Sequence, residues 1–290
     1  MKKILVIGGR GFIGHNLCKK LKEANSFQVS SLDNESRSIN EDMIEEVKYF
    51  KDSSARIDSI IHEVPDLIFH LGEYSRVEQS FKDIEEVWQS NVIGTYNVLD
   101  YCVKNKVKLI YAGSSTKFAD DGKGEMSSPY AWTKAKNTEL VKCFSEWFGL
   151  DYAITYFYNA FGPTEPSNGP YSTVVAKFKK MMSQNQKLTV VKPGSQKRNF
   201  THIDDIVSGL MLVGQSGNGD GYEIGNNNSY TILELAEMFG GEIEMLPERQ
   251  GNRMSGEINN DKIKSLGWSC KTELPDYINF LKENNWDDSC

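Results

Sequence analysis

The feature that most constrains the fold stands near the amino terminus, where a short apolar run leads into a cluster of glycines. The run KILVIGG (3–9) is typical of a buried parallel strand, and apolar residues at helical spacing follow in 11–25. Gly8, Gly11 and Gly14 lie at this junction. Glycine permits a tight turn, close approach of the backbone to a phosphate and close packing of helix on strand. The strand–loop–helix order therefore predicts a dinucleotide-binding fold.

Asp33 ends the second predicted strand, FQVSSLD (27–33), about 20 residues beyond the glycine loop. A carboxylate at this place accepts hydrogen bonds from ribose hydroxyls and repels a 2′-phosphate, which favours NAD over NADP as the cofactor. Asp52 ends the third strand and either meets the adenine amino group or caps the next helix. Arg10 places a cation in the glycine loop, where it could contact the cofactor phosphates.

Strands and helices alternate from the amino terminus to about residue 162, which predicts a doubly wound parallel sheet of Rossmann type. The expected strands are 3–9, 27–33, 47–52, 65–72, 108–114 and 151–162, and the expected helices are 11–25, 55–64, 83–105 and 130–149. Beyond a Pro/Gly/Ser/Asn-rich loop the pattern becomes mixed, which predicts a smaller α/β substrate lobe. We expect a dinucleotide-binding domain at 1–165 and this lobe at 166–290, with interleaved segments.

Composition excludes several classes of function. The chain has 290 residues and a net charge of −7, and no block of Lys and Arg suggests a nucleic-acid partner. No apolar run approaches the roughly 18 residues that cross a bilayer, so no membrane partner is expected. The five cysteines are scattered, without a CxxC or Cys/His cluster, so we expect no metal site and a reducing, cytoplasmic location.

The segment PYAWTK (129–134) places Tyr130 and Lys134 four residues apart, on one face of a predicted helix. One interpretation is an amphipathic helix whose tyrosine is half-buried and whose lysine extends to solvent. The other is a phenol that moves a proton, with an ammonium beside it to favour the phenolate.

The glycine loop, HLGEY (70–74), AGSST (112–116) and PYAWTK occur in an order that resembles the extended short-chain dehydrogenase/reductases, the NAD-dependent epimerase/dehydratase group that acts on nucleotide sugars. YFYNAFGP, QKRNFTHIDDI and ERQGN extend the resemblance through the carboxyl-terminal half. The resemblance implies a catalytic set of Ser114, Tyr130 and Lys134. In such enzymes the tyrosine is the acid/base on a sugar hydroxyl, the lysine holds the nicotinamide ribose and lowers the phenol pKa, and the serine binds the same sugar oxygen.

The same resemblance implies the residues that hold NAD. Asn91 is expected near the nicotinamide, and Tyr74 either borders the nicotinamide ribose or is a wall residue. The implied cofactor set is Gly8, Gly11, Phe12, Ile13, Gly14, Asp33, Asn34, Asp52, Ser53, Leu71, Gly72, Tyr74, Asn91, Tyr130 and Lys134.

A nucleotide-diphosphate sugar is the implied partner. Asn159, Arg198 and Arg249 would bind its diphosphate, since the guanidinium fork suits phosphate oxygens, although either arginine could instead form a surface salt bridge. The implied substrate set is Ser75, Ser114, Asn159, Thr173, Val174, Arg198 and Arg249.

Dehydratases of that group carry Asp-Glu directly after the catalytic Ser or Thr, whereas this chain has Ser115 and Thr116. We therefore expect an NAD-dependent NDP-sugar 4-epimerase that works through a transient 4-keto sugar. The alternatives are an NAD(P)H-dependent reductase of an NDP-4-keto-6-deoxy sugar and a non-catalytic nucleotide-binding protein. Helices 83–105 and 130–149 are expected to form a homodimer through a four-helix bundle, unless their apolar faces pack only within the chain.

Overall fold

The computed structural model describes residues 1–39, 41–118, 124–248 and 258–288. Strands in these ranges are β1 (Lys2–Ile7), β2 (Phe27–Asp33), β3 (Lys48–Lys51), β4 (Leu67–His70), β5 (Lys108–Ala112), β6 (Tyr152–Phe157), β7 (Ala160–Phe161), β8 (Leu188–Val191), β9 (Lys197–Asn199), β10 (Thr201–His202), β11 (Gly219–Ile224), β12 (Ser229–Thr231) and β13 (Ile243–Leu246). Helices are α1 (Phe12–Glu23), α2 (Ile57–Ile60), α3 (Ile84–Val87), α4 (Thr95–Asn105), α5 (Pro129–Phe148), α6 (Val174–Ser183), α7 (Ile203–Ser216), α8 (Ile232–Phe239), α9 (Asp261–Lys264) and α10 (Leu274–Glu283).

A seven-stranded sheet forms the centre of the molecule, in the order β11-β6-β5-β4-β1-β2-β3. Every neighbouring pair in it is parallel. The order reverses direction at β1, so the chain winds outward on both sides and leaves a crevice at the carboxyl ends of β1 and β4. The predicted fold class, a doubly wound parallel sheet, is confirmed.

The side chains of β1 show why this sheet has a helix layer on each face. Ile4 and Val6 point into a core that includes residues of α1 and α7. Leu5 and Ile7 point into a second core, with residues of α4 and α5. All four are at most 2% exposed. A strand buried on both faces needs a continuous apolar run, and KILVI supplies it.

The smaller lobe has its own core, formed by residues of α6, α8 and α10 around the parallel pair β8 and β13. The chain does not stay in this lobe. After β10 it forms α7, which packs on one face of the large sheet, and β11, which pairs with β6 at the edge of that sheet.

Two helices differ from their predicted forms. The expected helix at 55–64 forms over residues 55–60, as a 3₁₀ turn (Ser54–Arg56) followed by the single turn of α2, and it is wrong for 61–64. Pro65 disfavours helical backbone at the residue before it, and this limits the helix. The expected helix at 83–105 does form, but its middle, Trp88–Gly94, is a π-helix between α3 and α4. Among the described residues no helix combines the length and apolarity needed to cross a bilayer.

Candidate active site

Two glycines of the loop between β1 and α1, Gly8 and Gly14, have no room for a side chain. Gly8 has φ +87°, and a Cβ there would lie 2.6 Å from the Cα of Gly72. A Cβ on Gly14 would lie 2.1 Å from the carbonyl oxygen of Gly8. The loop therefore brings bare backbone to the start of α1, where helix amides favour an anion. This arrangement fits a dinucleotide pyrophosphate. Phe12 and Ile13, in the first turn, pack on the core.

A groove runs along the carboxyl ends of β1 to β4, and it brings together six residues of the predicted cofactor set. Asp33 stands at its centre and accepts hydrogen bonds from the amides of Arg10 (2.9 Å) and Glu35 (2.7 Å). Burial raises the pKa of this carboxyl, and the two amides oppose that effect. The lining residues are Ile7, Gly8, Leu32, Asp33, Asn34, Asp52, Ser53, Ser54, Gly72 and Ser90. Leu71 directly precedes Gly72 and packs on the core.

Asp52 also makes local contacts at the rim of this groove. Its carboxylate accepts from the amide of Ser53 (2.7 Å) and lies 3.1 Å from a guanidinium nitrogen of Arg56. Ser53, and not Asp52, caps the following 3₁₀ turn by accepting from the amide of Ala55. Arg10 donates to the carbonyl oxygen of Glu41, and its guanidinium carbon lies 5.8 Å from the centre of the Tyr49 ring.

Tyr130 and Ser114 meet although 16 positions separate them. The Tyr130 hydroxyl donates to the Ser114 Oγ at 3.1 Å. Ser114 follows β5, and Tyr130 lies in the first turn of α5, which starts at the capping residue Ser128 and at Pro129. Thr116 Oγ lies 2.9 Å from the Ser114 Oγ, so a hydroxyl stands here at one of the two sequence positions where the resemblance to dehydratases would require a carboxylate. The arrangement can hold one substrate oxygen between a phenol and a serine hydroxyl.

Lys134 lies one turn further along α5 and is buried. Its ammonium donates to Glu73 and to the carbonyl oxygen of Ala112. It also lies 4.7 Å from the centre of the Tyr111 ring. An ammonium has three N–H donors, so one is left for a ligand. The sequence interpretation of a lysine that extends to solvent is therefore wrong, because the side chain is only 7% exposed.

Glu73, which we did not single out from the sequence, completes this site. Its side chain is 3% exposed and accepts hydrogen bonds from Lys134, Thr95 (2.5 Å), Tyr111 (2.9 Å) and Asn137 (2.6 Å). Burial alone would raise its pKa, but Lys134 and these donors outweigh that effect, so the pKa lies below its usual value. A carboxylate directly after a buried strand was the available signal, since ligands bind at carboxyl ends of parallel strands.

Asn91 lies in the π-helical segment and is fully buried. Its side-chain oxygen accepts from the amide of Tyr74 (2.7 Å), and its side-chain nitrogen donates to Thr133 (3.0 Å). Its backbone carbonyl accepts from Asn137 (2.7 Å). Asn91 thus ties the loop after β4 to α5, next to Lys134 and Glu73.

Tyr74 and Arg37 form the wall beside this loop. The Tyr74 hydroxyl donates to Asp83 (2.8 Å), and the Arg37 guanidinium lies between the Tyr74 ring (4.4 Å) and the Tyr171 ring (4.5 Å). Burial raises the pKa of Tyr74, and the Asp83 carboxylate adds to that effect. The phenol of Tyr74 is therefore an un-ionised donor within the wall.

The substrate residues predicted in the smaller lobe lie around the loop that follows β6. Asn159 has φ +30° and donates to the carbonyl oxygen of Asn199 (2.7 Å). Thr173 caps α6, whose first residue is Val174, and donates to Glu165 (2.5 Å). Arg198 lies in β9 and donates to the carbonyl oxygen of Lys197 (2.8 Å). Arg249 lies outside the described residues, and Ser75 is exposed.

Glu165 is buried under Thr173, and one of its carboxyl oxygens has no hydrogen-bond partner within the described ranges. Burial raises its pKa to about 8, although Thr173 and Lys179 act against this. The carboxyl is therefore mostly protonated at neutral pH. In the part of the chain that the structure describes, no group of three His, Cys, Asp or Glu side chains could hold a metal ion.

Comparisons with known proteins identify the family of this chain. Residues 4–225 match the model of the NAD dependent epimerase/dehydratase family. A dTDP-D-glucose 4,6-dehydratase of Dictyostelium discoideum is 28% identical over 82% of this chain, which spans only 61% of that protein's length. UDP-glucuronic acid decarboxylase 6 of Arabidopsis thaliana is 25% identical over 97% of this chain and 88% of its own.

Among solved structures, UDP-glucose 4-epimerase of Thermotoga maritima, determined with UDP-glucose, superposes with a TM-score of 0.87. It is 25% identical, over 97% of this chain and 99% of its own. The three similar proteins carry out different reactions on nucleotide sugars, so the similarity extends to this general chemistry and not to one reaction.

Proposed function

Because the chain belongs to the NAD-dependent epimerase/dehydratase family, we propose that it is an NDP-sugar 4-epimerase. The observation that carries the proposal is the hydrogen bond from Tyr130 to Ser114, with hydroxyls at Ser115 and Thr116 where elimination would need carboxylates. The cofactor is NAD, and the glycine loop and Asp33 fit its pyrophosphate and ribose. When bound, NAD supplies a hydride acceptor that can also return the hydride.

Side chains of the protein transfer the proton and orient the sugar and the cofactor. The phenolate form of Tyr130 takes the proton of the C4 hydroxyl, and Ser114 donates to the same oxygen. Loss of that proton and of hydride from C4 leaves a 4-keto sugar. Lys134 holds the ribose with its remaining N–H. Reversal on the other face of the sugar returns the proton from Tyr130 to the oxygen.

The 4-keto sugar must rotate so that hydride returns to its other face. This requires strong binding of the diphosphate and weak contacts to the sugar ring. The proposed anchor consists of Asn159, Arg198 and Arg249, with Thr173 and the amides at Val174 beside the sugar. Asn159 is exposed, and its side-chain NH2, which donates to the carbonyl oxygen of Asn199, carries a second N–H that can donate to a phosphate oxygen. α6 begins at Val174, so its first amides favour an anion.

The first test identifies the nucleotide that the purified protein releases on denaturation. Near-stoichiometric NAD supports an enzyme that regenerates its cofactor within each turnover. A protein that is purified empty and binds NADPH better than NADH would contradict the epimerase and favour a reductase of 4-keto-6-deoxy sugars, with Arg10 as the contact to the 2′-phosphate.

Tyr130→Phe provides the second test. We expect a rate of C4 epimerisation about 10²–10⁴-fold lower, because the acid/base group is lost while the ring remains. Tyr152→Phe, a partly exposed tyrosine of β6, is the matched control and should retain full activity. Equal activity of Tyr130→Phe and the control would favour a non-catalytic binding protein instead.

We further propose that the protein is a homodimer of the cytoplasm. The π-helical segment Trp88–Gly94, α4 and α5 each present an exposed aromatic side chain, namely Trp88, Tyr96 and Trp147, which supports a four-helix interface. The free thiols Cys18, Cys102, Cys143 and Cys270 support a reducing compartment.

A further inference from the structure

The groove at the carboxyl ends of β1 to β4 has two rims, which lie on opposite sides of the exit of β1. Asn34, directly after β2, lines one rim, and Gly72 and Ser90, which follow β4, line the other. The segment between β2 and β3 stays on the first rim, since the amide of Ile39 donates to the carbonyl oxygen of Arg10 (2.9 Å). Because β1 lies between β2 and β4 in the sheet, a contact from this segment to residues beyond β4 bridges the groove.

Arg37, in the segment after β2, makes such a bridge. Both of its terminal nitrogens donate to the carboxylate of Glu86, which lies about one helical turn before Ser90. One of these nitrogens also donates to the hydroxyl of Tyr171 (3.0 Å). The guanidinium lies between the rings of Tyr74 and Tyr171. A fork that pairs with both carboxylate oxygens and stacks on two rings has one defined orientation, so the bridge is specific in its geometry.

Asp83 links the partners of Arg37 to one another. Its carboxylate accepts from the hydroxyls of Tyr74 (2.8 Å) and Tyr171 (3.2 Å) and lies 3.7 Å from a guanidinium nitrogen of Arg37. Tyr171 belongs to the loop that leads to α6, so the smaller lobe takes part in the bridge. We refer to Arg37, Tyr74, Asp83, Glu86 and Tyr171 as the Arg37 clasp.

We propose that the Arg37 clasp closes the groove over bound NAD and must open whenever the cofactor enters or leaves. The inference rests on the proposed function and adds how the cofactor is retained. A 4-keto sugar regains its hydride only if the reduced cofactor stays in the groove until the sugar has rotated. Since the clasp joins the two rims to each other, it slows association and dissociation alike and leaves the affinity for the cofactor nearly unchanged.

Displacement of bound NADH by excess NAD tests the inference, because the fluorescence of NADH reports its release without turnover of a sugar. In Arg37→Gln the rate of NADH release should rise at least about 10-fold, since a hydrogen-bonded charge pair is lost. The dissociation constant of NADH, measured by calorimetry, should stay within about 3-fold of that of the unaltered protein. Glu86→Gln should act in the same way. The double variant should release NADH no faster than Arg37→Gln, because the two side chains form one contact.

Salt provides a second measurement on the same proteins. The side chains of Arg37 and Glu86 are 22% and 39% exposed, so dissolved ions screen their attraction. Raising KCl from about 0.05 M to about 0.5 M should therefore speed NADH release from the unaltered protein more than from Arg37→Gln. An equal response of the two proteins to salt would contradict the clasp.

Glu85→Gln is the matched control, because Glu85 is an exposed carboxylate next to Glu86 in α3 and should leave the release rate unchanged. Circular dichroism of each variant checks that it is folded. Unchanged release from both Arg37→Gln and Glu86→Gln overturns the inference. So does an affinity that weakens in step with faster release from Arg37→Gln, since Arg37 would then bind the cofactor directly. A protein that exchanges NADH as expected but epimerises no sugar would contradict the proposed function and support the clasp.

Discussion

Glu73 and Lys134 form an ion pair that is closed to water on both sides. Glu73→Gln removes one charge and leaves the other buried and unpaired. We expect the free energy of unfolding at pH 7 to fall by about 3–5 kcal/mol. Urea denaturation monitored by circular dichroism measures this. Glu139→Gln is the matched control, because it breaks the exposed pair of Glu139 with Lys136 on the same helix and should cost less than about 1 kcal/mol.

The effect of Glu73→Gln should also depend on pH. The pKa of Glu73 is lowered in the folded state, so its charge stabilises the fold above the ordinary pKa of 4.5, and this contribution is lost as pH falls through the folded value. The difference in unfolding free energy between the two proteins should therefore shrink progressively as pH falls below 4.5. A difference that stays constant as pH is lowered from 4.5 would contradict the buried ion pair.

The contribution of Glu165 to the free energy of unfolding depends on pH in the opposite direction to that of Glu73. Its pKa is raised to about 8, so the folded state keeps a proton that the unfolded state loses above 4.5. Its contribution to stability is present below pH 4.5 and declines, by up to about 1.4 kcal/mol per pH unit, as pH rises toward 8. Glu165→Gln should therefore gain stability relative to the unaltered protein between pH 5.5 and 8.5. Denaturation curves of the variant and of the unaltered protein, recorded at pH 5.5 and at pH 8.5, measure the change. Glu237→Gln is the control, because Glu237 is an exposed carboxylate of α8.

Sequence alone could identify Tyr130, Lys134 and Ser114 as candidates, because their motifs are local and ordered. It could not supply the partner of Lys134. Glu73 is 61 positions away, and only the pairing of β4 with β5 and the packing of α5 bring the two together.

At the scale of elements, α5 carries both proposed catalytic side chains, Tyr130 and Lys134, and its first turn depends on one cap. The Ser128 side chain accepts from the amide of Ala131 at 3.1 Å. Ser128→Ala should lower the free energy of unfolding by about 1 kcal/mol and reduce activity as the turn that holds Tyr130 loosens. Thermal denaturation and C4 epimerisation rates measure the two effects.

Ser145→Ala, in the interior of the same helix, is the matched control. Alanine is the better helix former there, so stability should be unchanged or rise by about 0.5 kcal/mol. Equal losses in the two variants would show that the cap does not support the first turn.

Helices and strands could be predicted from the sequence where one spacing of apolar residues dominates the segment. KILVI could only be a strand buried on both faces, and α5 has clear signals at its cap and at Gly149. The π-helical turn at Trp88–Gly94 could not be predicted, since one extra residue per turn hardly alters the spacing of apolar positions. Its cause is tertiary, because it frees the Asn91 carbonyl to accept from Asn137.

At the scale of the whole molecule, two clusters of aromatic side chains connect α5 to the π-helical segment and to α4, and together they form an aromatic band. Trp88 stacks on Trp132 at 6.1 Å, and Tyr96 and Trp147 both contact Phe144. Trp147 is 61% exposed. In the proposed dimer this band is covered, so Trp147→Glu should shift the protein from dimer to monomer because a carboxylate would be buried at the interface.

Light scattering coupled to size-exclusion chromatography measures the mass of each variant. Met43→Glu is the control, because Met43 is also exposed but lies outside this band. If the unaltered protein is already monomeric, the band is not a dimer interface. If Met43→Glu dissociates the protein as well, the effect of Trp147→Glu is not specific.

The chain returns to the large sheet through α7 and β11, so the large sheet cannot be completed by the amino-terminal part of the sequence alone. A fragment ending at residue 165 would expose the whole edge of β6 and the apolar face that α7 covers. An unpaired strand edge forms backbone hydrogen bonds with strands of other chains, so the fragment should aggregate when it is expressed alone. The proposed cofactor-binding and substrate-binding segments therefore fold as one unit, and recombination could not exchange one of them alone.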